Sequence, residues 1–146
     1  MELSIIPKQD MIPAFNSEAI KVRIVEADDD LGNFDEITEE SIASILSEIP
    51  KGIAVALYLD PNGDTDWLEV QSDGKWLSLV FYSDDEYTIY NPKFAGKPDL
   101  TTLESGGQSH IEKVFAIQDM EIGIKAVEYF IRTGELYPGI DWAKYL

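Results

Sequence analysis

Apolar and polar residues change their spacing several times along this chain, and each change predicts an element. Ile20, Val22 and Ile24 alternate with Lys21 and Arg23, the period of two expected of a strand with one buried face. A run of acids with Gly32 and Asn33 then predicts a loop. Thr38 has the chemistry of an N-cap, and Glu39 and Glu40 suit the positive end of a helix dipole. Ile42, Ile45, Leu46 and Ile49 follow at helical spacing, so the pattern predicts a helix over 38–49 that Pro50 and Gly52 stop.

From Ile53 to Leu59 the chain is apolar on both faces, which predicts a central strand. Asn62-Gly63 is a strong hairpin signal, and strand patterns resume at 67–71, 76–82 and 87–90 with short turns between them. Such spacing favours an antiparallel meander. Residues 91–112 hold two prolines, three glycines and few apolar positions, so they read as one long loop and a candidate functional surface. Lys113 to Ile117 is expected to be a last short strand. Asp119 then caps a helix over 119–133 with Met120, Ile124, Val127 and Ile131 in one stripe, ended by Gly134 and Pro138. The fold class expected is α+β: an antiparallel meander packed by helices near 38–49 and 119–133, as one domain over 1–146, with 1–19 an irregular lead-in.

Composition narrows the function. The chain has 146 residues, 45% of them hydrophobic, enough to bury a core. It contains no cysteine, so disulfides, thiol catalysis and zinc–thiolate sites drop out. The opening MELSIIPKQDM lacks the basic and apolar regions of a secretory signal, and no stretch approaches a membrane span, so a cytoplasmic, membrane-free, monomeric protein is expected. A net charge of −17 disfavours nucleic acid and anionic membranes and favours a basic protein partner, which the field would steer in.

Searches for chemistry return little. His110 is the sole histidine and has no partner specified by spacing. Asp60, Asn62, Asp64 and Asp66 alternate like calcium ligands, but Thr65 and Gln71 stand where that loop needs glycine and glutamate. Gly106-Gly107 lacks the rest of a phosphate-binding loop. Paired acids for hydrolysis are compatible with the composition, though their separation is not written in a sequence. The expectation is no enzyme, no cofactor and no metal.

What remains is surface. Nine acids and no basic residue lie between Arg23 and Lys51, among them Asp28, Asp29 and Asp30. A second cluster, Asp84, Asp85 and Glu86, is flanked by Tyr82 and Tyr87. Carboxylates beside aromatics combine steering charge with contact area, so these eight residues are the predicted partner-binding set.

The segment AVEYFIRTGELYPGIDW, residues 126 to 142, resembles the closing segment of the Imm-one family of bacterial immunity proteins from polymorphic toxin systems. A looser similarity of order extends back to residue 36. The resemblance implies a protein that neutralises a toxin, often a nucleic-acid deaminase or nuclease, by binding it, either by direct occlusion or allosterically. It carries over no catalytic residue, and it implies that Phe130, Gly134, Pro138 and Trp142 hold the fold. The alternative reading is a small-molecule or peptide binding module that uses the 91–112 loop as a lid.

Overall fold

A computed structural model describes residues 2–27, 33, 36–105 and 109–146. Its centre is a seven-stranded antiparallel sheet in the order β1-β9-β6-β5-β4-β3-β2. Those strands are β1 (Leu3–Ile6), β2 (Ile24–Ala27), β3 (Ile53–Tyr58), β4 (Trp67–Ser72), β5 (Leu77–Tyr82), β6 (Glu86–Ile89) and β9 (Trp142–Tyr145). A separate two-stranded hairpin comprises β7 (Leu100–Ser105) and β8 (Ser109–Glu112). Two helices, α1 (Glu39–Glu48) and α2 (Met120–Thr133), complete an α+β fold in which β2 to β6 form the expected meander.

α1 starts where its chemistry directs. The Thr38 hydroxyl accepts the Ser41 N–H at 3.2 Å, and Ser41 Oγ accepts the Thr38 N–H at 2.8 Å, a reciprocal cap. A cap of this kind contributes about 1 kcal/mol. Ile42, Ile45 and Ile49 are all buried, and each contributes about 1.5–3 kcal/mol, so packing outweighs capping. α2 begins on Asp119, whose carboxylate accepts the Ile122 N–H, and ends at Gly134 with φ of 73°, a left-handed conformation suited to glycine. Within α2, Gly123 lets the helix approach β5: a Cβ there would lie 2.2 Å from Leu77 Cδ2.

Both helices cover the same face of the sheet. Val55, Leu57, Leu68, Val70, Leu79 and Ile89 meet Ile42, Ile45, Val127, Phe130 and Ile131 in one core. A bidentate ion pair joins the helices: Arg132, only 5% exposed, donates to both Glu39 oxygens at 2.7 Å. The sequence placed Glu39 as a dipole residue of the first turn; its carboxylate also clamps α2 onto α1.

Several expectations are corrected. The lead-in contains β1, which pairs with β9 at the opposite end of the chain, Leu3 opposite Tyr145 and Ile6 opposite Trp142. The strand expected at 20–24 begins only at Ile24, because the Lys21 and Arg23 amides donate instead to the carbonyls of Ile131 and Tyr58. β3 lies one strand in from the edge, not at the centre. Residues 113–117 form a 3-10 turn, Lys113–Phe115, followed by a single bridge between Ile117 and Leu77.

The long loop expected at 91–112 is the largest change. It folds into a 3-10 turn at Pro92–Phe94 and then the β7–β8 hairpin. Trp76, Leu103 and Ala116 form a second small core beneath it, with Phe94 and Ile111 packed alongside. Gln71 donates its side-chain amide to the Glu104 carbonyl, and Thr102 donates its hydroxyl to the Asp73 carboxylate. This segment is anchored as a wall.

Asp73 serves two elements. Besides Thr102, it accepts the Lys75 N–H at 2.9 Å and the Trp76 N–H at 2.8 Å in the β4–β5 turn. Partial burial alone would raise its pKa, but those three donors outweigh burial and hold the carboxyl below its ordinary value. A carboxylate depressed in the folded state contributes stability above its unfolded pKa, and that stability is lost as pH falls through the lower folded value. Asp73→Ala is therefore expected to cost about 1–2 kcal/mol, discounted for its exposure, with β7–β8 exchanging amide hydrogens faster. Acidification to about pH 3 reproduces part of that faster exchange in the native chain and adds little in the variant. Equal protection of β7–β8 in both proteins at neutral pH would refute this anchoring role.

Candidate functional site

The face of the sheet opposite the helices is only partly covered. Its residues follow from the alternation of each strand and from the register. Ile24, Tyr58, Trp67, Tyr82 and Glu86 lie opposite one another across β2 to β6 and form one transverse row. The next row runs Glu26, Ala56, Glu69, Val80 and Thr88. A third holds Ala54, Gln71 and Ser78. The hairpin covers the end of this face near Gln71 and Ser78, where Ser78 Oγ donates to the Phe115 carbonyl at 3.0 Å. The opposite end stays open.

On that open end the aromatic rings form a ladder. Tyr58 and Trp67 have ring centroids 5.5 Å apart, and Trp67 stacks on Tyr82 at 4.8 Å with planes 26° apart. Beside it, Ala54 and Ala56 are too small to fill the surface, leaving a depression of about 170 Å³ bounded by Glu26, Trp67 and Glu69. Tyr58 donates its hydroxyl to Glu26 at 3.4 Å.

Between the ladder and the hairpin lies a slot of about 270 Å³. Glu69 and Glu86 come to it from the sheet, His110 and Glu112 from β8, and Tyr82 and Tyr145 form aromatic wall. Burial first, and then the charges of Glu69 and Glu86, push the Tyr82 hydroxyl up to about 12. Burial, Glu86 and Glu112 raise Tyr145 in the same direction, and burial with Glu26 raises Tyr58. All three phenols thus remain protonated donors at neutral pH, each held among carboxylates.

The predicted partner-binding residues do not form one cluster. Tyr82 and Glu86 line the slot, while Tyr87 points to the helix face, its ring 6.2 Å from that of Phe81. Asp84 and Asp85 are exposed in the β5–β6 turn, where Asp85 pairs with Lys144 at 3.4 Å. Asp28, Asp29 and Asp30 lie outside the described residues. Of the other acids in the 24–50 run, Glu39 is bound to Arg132 and Glu48 to Lys51 at 3.7 Å. Sequence reasoning missed Tyr58, Trp67, Glu69, Glu112 and Tyr145 as surface partners. Period-two alternation places Trp67, Glu69 and Gln71 on one face, and that signal was available.

The remaining candidates resolve into turn chemistry. Asp60 does not face a cation: its carboxylate accepts the Asp64 and Thr65 N–H groups, both at 2.9 Å, and these bonds lower its pKa. Among the described residues, no group of three or more His, Asp or Glu is placed to hold a metal ion. No described helix is long and apolar enough to cross a membrane. Phe130 and Trp142 are buried in the main core, and the Trp142 indole donates to the Tyr137 carbonyl at 2.8 Å. No family model matches the chain, and comparison with characterised proteins finds no significant sequence match.

Proposed function

We propose that this chain is a cytoplasmic immunity protein that neutralises a bacterial toxin acting on nucleic acid, a deaminase or nuclease, by binding rather than by catalysis. The open half of the sheet covers the toxin's basic substrate site. The observation that carries this reading is the Tyr58–Trp67–Tyr82 ladder exposed between Glu26, Glu69 and Glu86. A partly exposed aromatic ladder on a flat sheet is an interface feature, since monomeric proteins seldom leave such rings uncovered. Carboxylates around it present to a basic cleft the charge that phosphates would. The resemblance of residues 126–142 to an immunity family supports the same class. A small-molecule module is less well supported, because about 270 Å³ falls under the roughly 300–1,000 Å³ usual for ligand pockets.

The test is titration of the purified toxin domain encoded beside this chain's gene. Stoichiometric addition is expected to abolish its activity on DNA or RNA. Raising salt from about 0.05 to 0.5 M is expected to slow association at least about tenfold, because steering acts through screened charge. Undiminished toxin activity at a several-fold excess of this protein would reject the proposal.

A further inference from the structure

The slot between the open sheet face and β8 has a shape and charge of its own. Its floor comes from β5 and β6, where the alternation of the strands puts Ser78, Val80 and Thr88 side by side. Ser78 and Thr88 are buried, and their hydroxyls are already committed to the Phe115 and Ile89 carbonyls. The floor is therefore small and offers little polar competition. Rings stand around it: Tyr82 on the sheet, and Phe115 with Tyr145, whose centroids are 6.2 Å apart. Three carboxylates, Glu69, Glu86 and Glu112, converge from two separate elements, and no lysine or arginine lines the slot. The Tyr82 hydroxyl is bonded to Glu69, which fixes that carboxylate in the wall.

We infer that this uncovered sheet face is the docking surface for a basic loop of the partner protein and that the slot receives one of its arginine side chains. The argument is charge complementarity within an aromatic frame. A guanidinium is planar, stacks on aromatic faces and is weakly hydrated, so it tolerates entry between rings better than the compact, strongly hydrated lysine ammonium. Its fork of donors suits carboxylates arriving from two sides. The carboxylates are spread around the slot and do not gather as a metal-holding group among the described residues, which also favours an extended cation. An uncharged side chain would leave the three carboxylates facing one another without compensation. The inference deepens the proposed function and rests on it for the identity of the partner, but the slot itself is testable without any toxin.

The experiment uses the full chain and three probes: Nα-acetyl-arginine amide, the lysine amide and the citrulline amide, which is nearly isosteric with arginine but neutral. Each is titrated while backbone amide resonances are followed by NMR. Arginine amide is expected to shift Gln71, Ser78 and Thr88 saturably, with a Kd of about 1 mM, typical for a ligand of its size. Lysine amide is expected to bind several-fold more weakly, and citrulline amide to leave those resonances in place. Combining Glu86→Gln with Glu112→Gln is expected to weaken arginine binding about tenfold. The variant's resonances in α1 and α2 serve as the folding control, and Glu86→Gln alone replaces the double variant if those resonances move. Equal shifts from citrulline would overturn the inference, as would arginine shifts centred on α1 or undiminished binding by the folded variant. Arginine binding without toxin inhibition would instead reject the immunity reading and leave the slot as a guanidinium site.

Discussion

Phe130→Ala lowers the unfolding free energy by about 3–5 kcal/mol, the usual cost of removing a fully buried phenylalanine. Domains are commonly stable by only about 5–15 kcal/mol, so this single change brings the chain close to its folding threshold. Phe130 is 1% exposed, and its ring meets Phe81 edge-on at 5.6 Å, bridging α2 to β5. Its carbonyl also accepts the Gly134 N–H at 2.8 Å, so the ring that enters the core sits on the turn that ends α2. Truncation removes dispersion contacts from both layers at once, and a β-sheet cannot close on the resulting cavity without bending several strands. Phe130→Leu, which keeps most of the volume, is expected to cost less than half as much. Urea denaturation reads both values from the midpoint at unchanged slope. A loss below about 1 kcal/mol for the alanine variant would mean that the helix layer is not held by this ring.

The parts of the fold that were legible in the sequence are those made by local periodicity. The stripes Ile42-Ile45-Ile49 and Val127-Ile131 predicted both helices, and Thr38, Asp119 and Gly134 act as their caps as their chemistry suggested. β3 to β6 were legible because tight turns join consecutive strands. β1 and β9 were not, since each is four residues long and each finds its partner across nearly the whole chain. Nothing in LSII or WAKY specifies that pairing locally. The 91–112 segment misled for a related reason. Its hydrophobic residues, Leu103 and Ile111, are few because the core they enter is small, and the partner that makes it a core, Trp76, belongs to another element.

The candidate site was legible in kind but not in place. Acids next to aromatics were the correct signal, yet sequence adjacency is a poor guide within a strand. Glu86 and Tyr87 are neighbours in the chain and lie on opposite faces of β6, because successive side chains alternate. Tyr58, Trp67 and Tyr82 are far apart in the chain and form one ladder, because two hairpin turns set the register that aligns them. The apolar run IAVALYL was read as buried on both faces. One face is buried by Val55 and Leu57, while Ala54 and Ala56 leave the other shallow and open beside Trp67. An apolar strand near a sheet edge with small residues on one side thus signals a contact surface rather than a central core position.

Trp67→Ala is expected to weaken binding of the basic partner by about 2–4 kcal/mol, roughly 30-fold to 1,000-fold in Kd, while costing the free protein only about 0.5–1.5 kcal/mol of stability. The two numbers differ because Trp67 does different work in each state. In the free protein its ring is half-exposed and meets only Tyr58 on one side and Tyr82 on the other. In a complex the same ring would be fully desolvated at the centre of the open face, with Glu26, Glu69 and Glu86 around it to exclude water and orient the partner. Neutralising one of those acids acts differently: Glu26→Gln is expected to slow association and flatten its salt dependence while changing dissociation little. Comparing stability by denaturation with association and dissociation rates by surface-based kinetics separates the roles. A Trp67→Ala protein that loses stability and affinity in equal measure would place the ladder in the architecture of the sheet and move the interface elsewhere. A large loss of affinity, carried mainly by faster dissociation from a stably folded variant, would make the ladder the anchor on which capture by charge is completed.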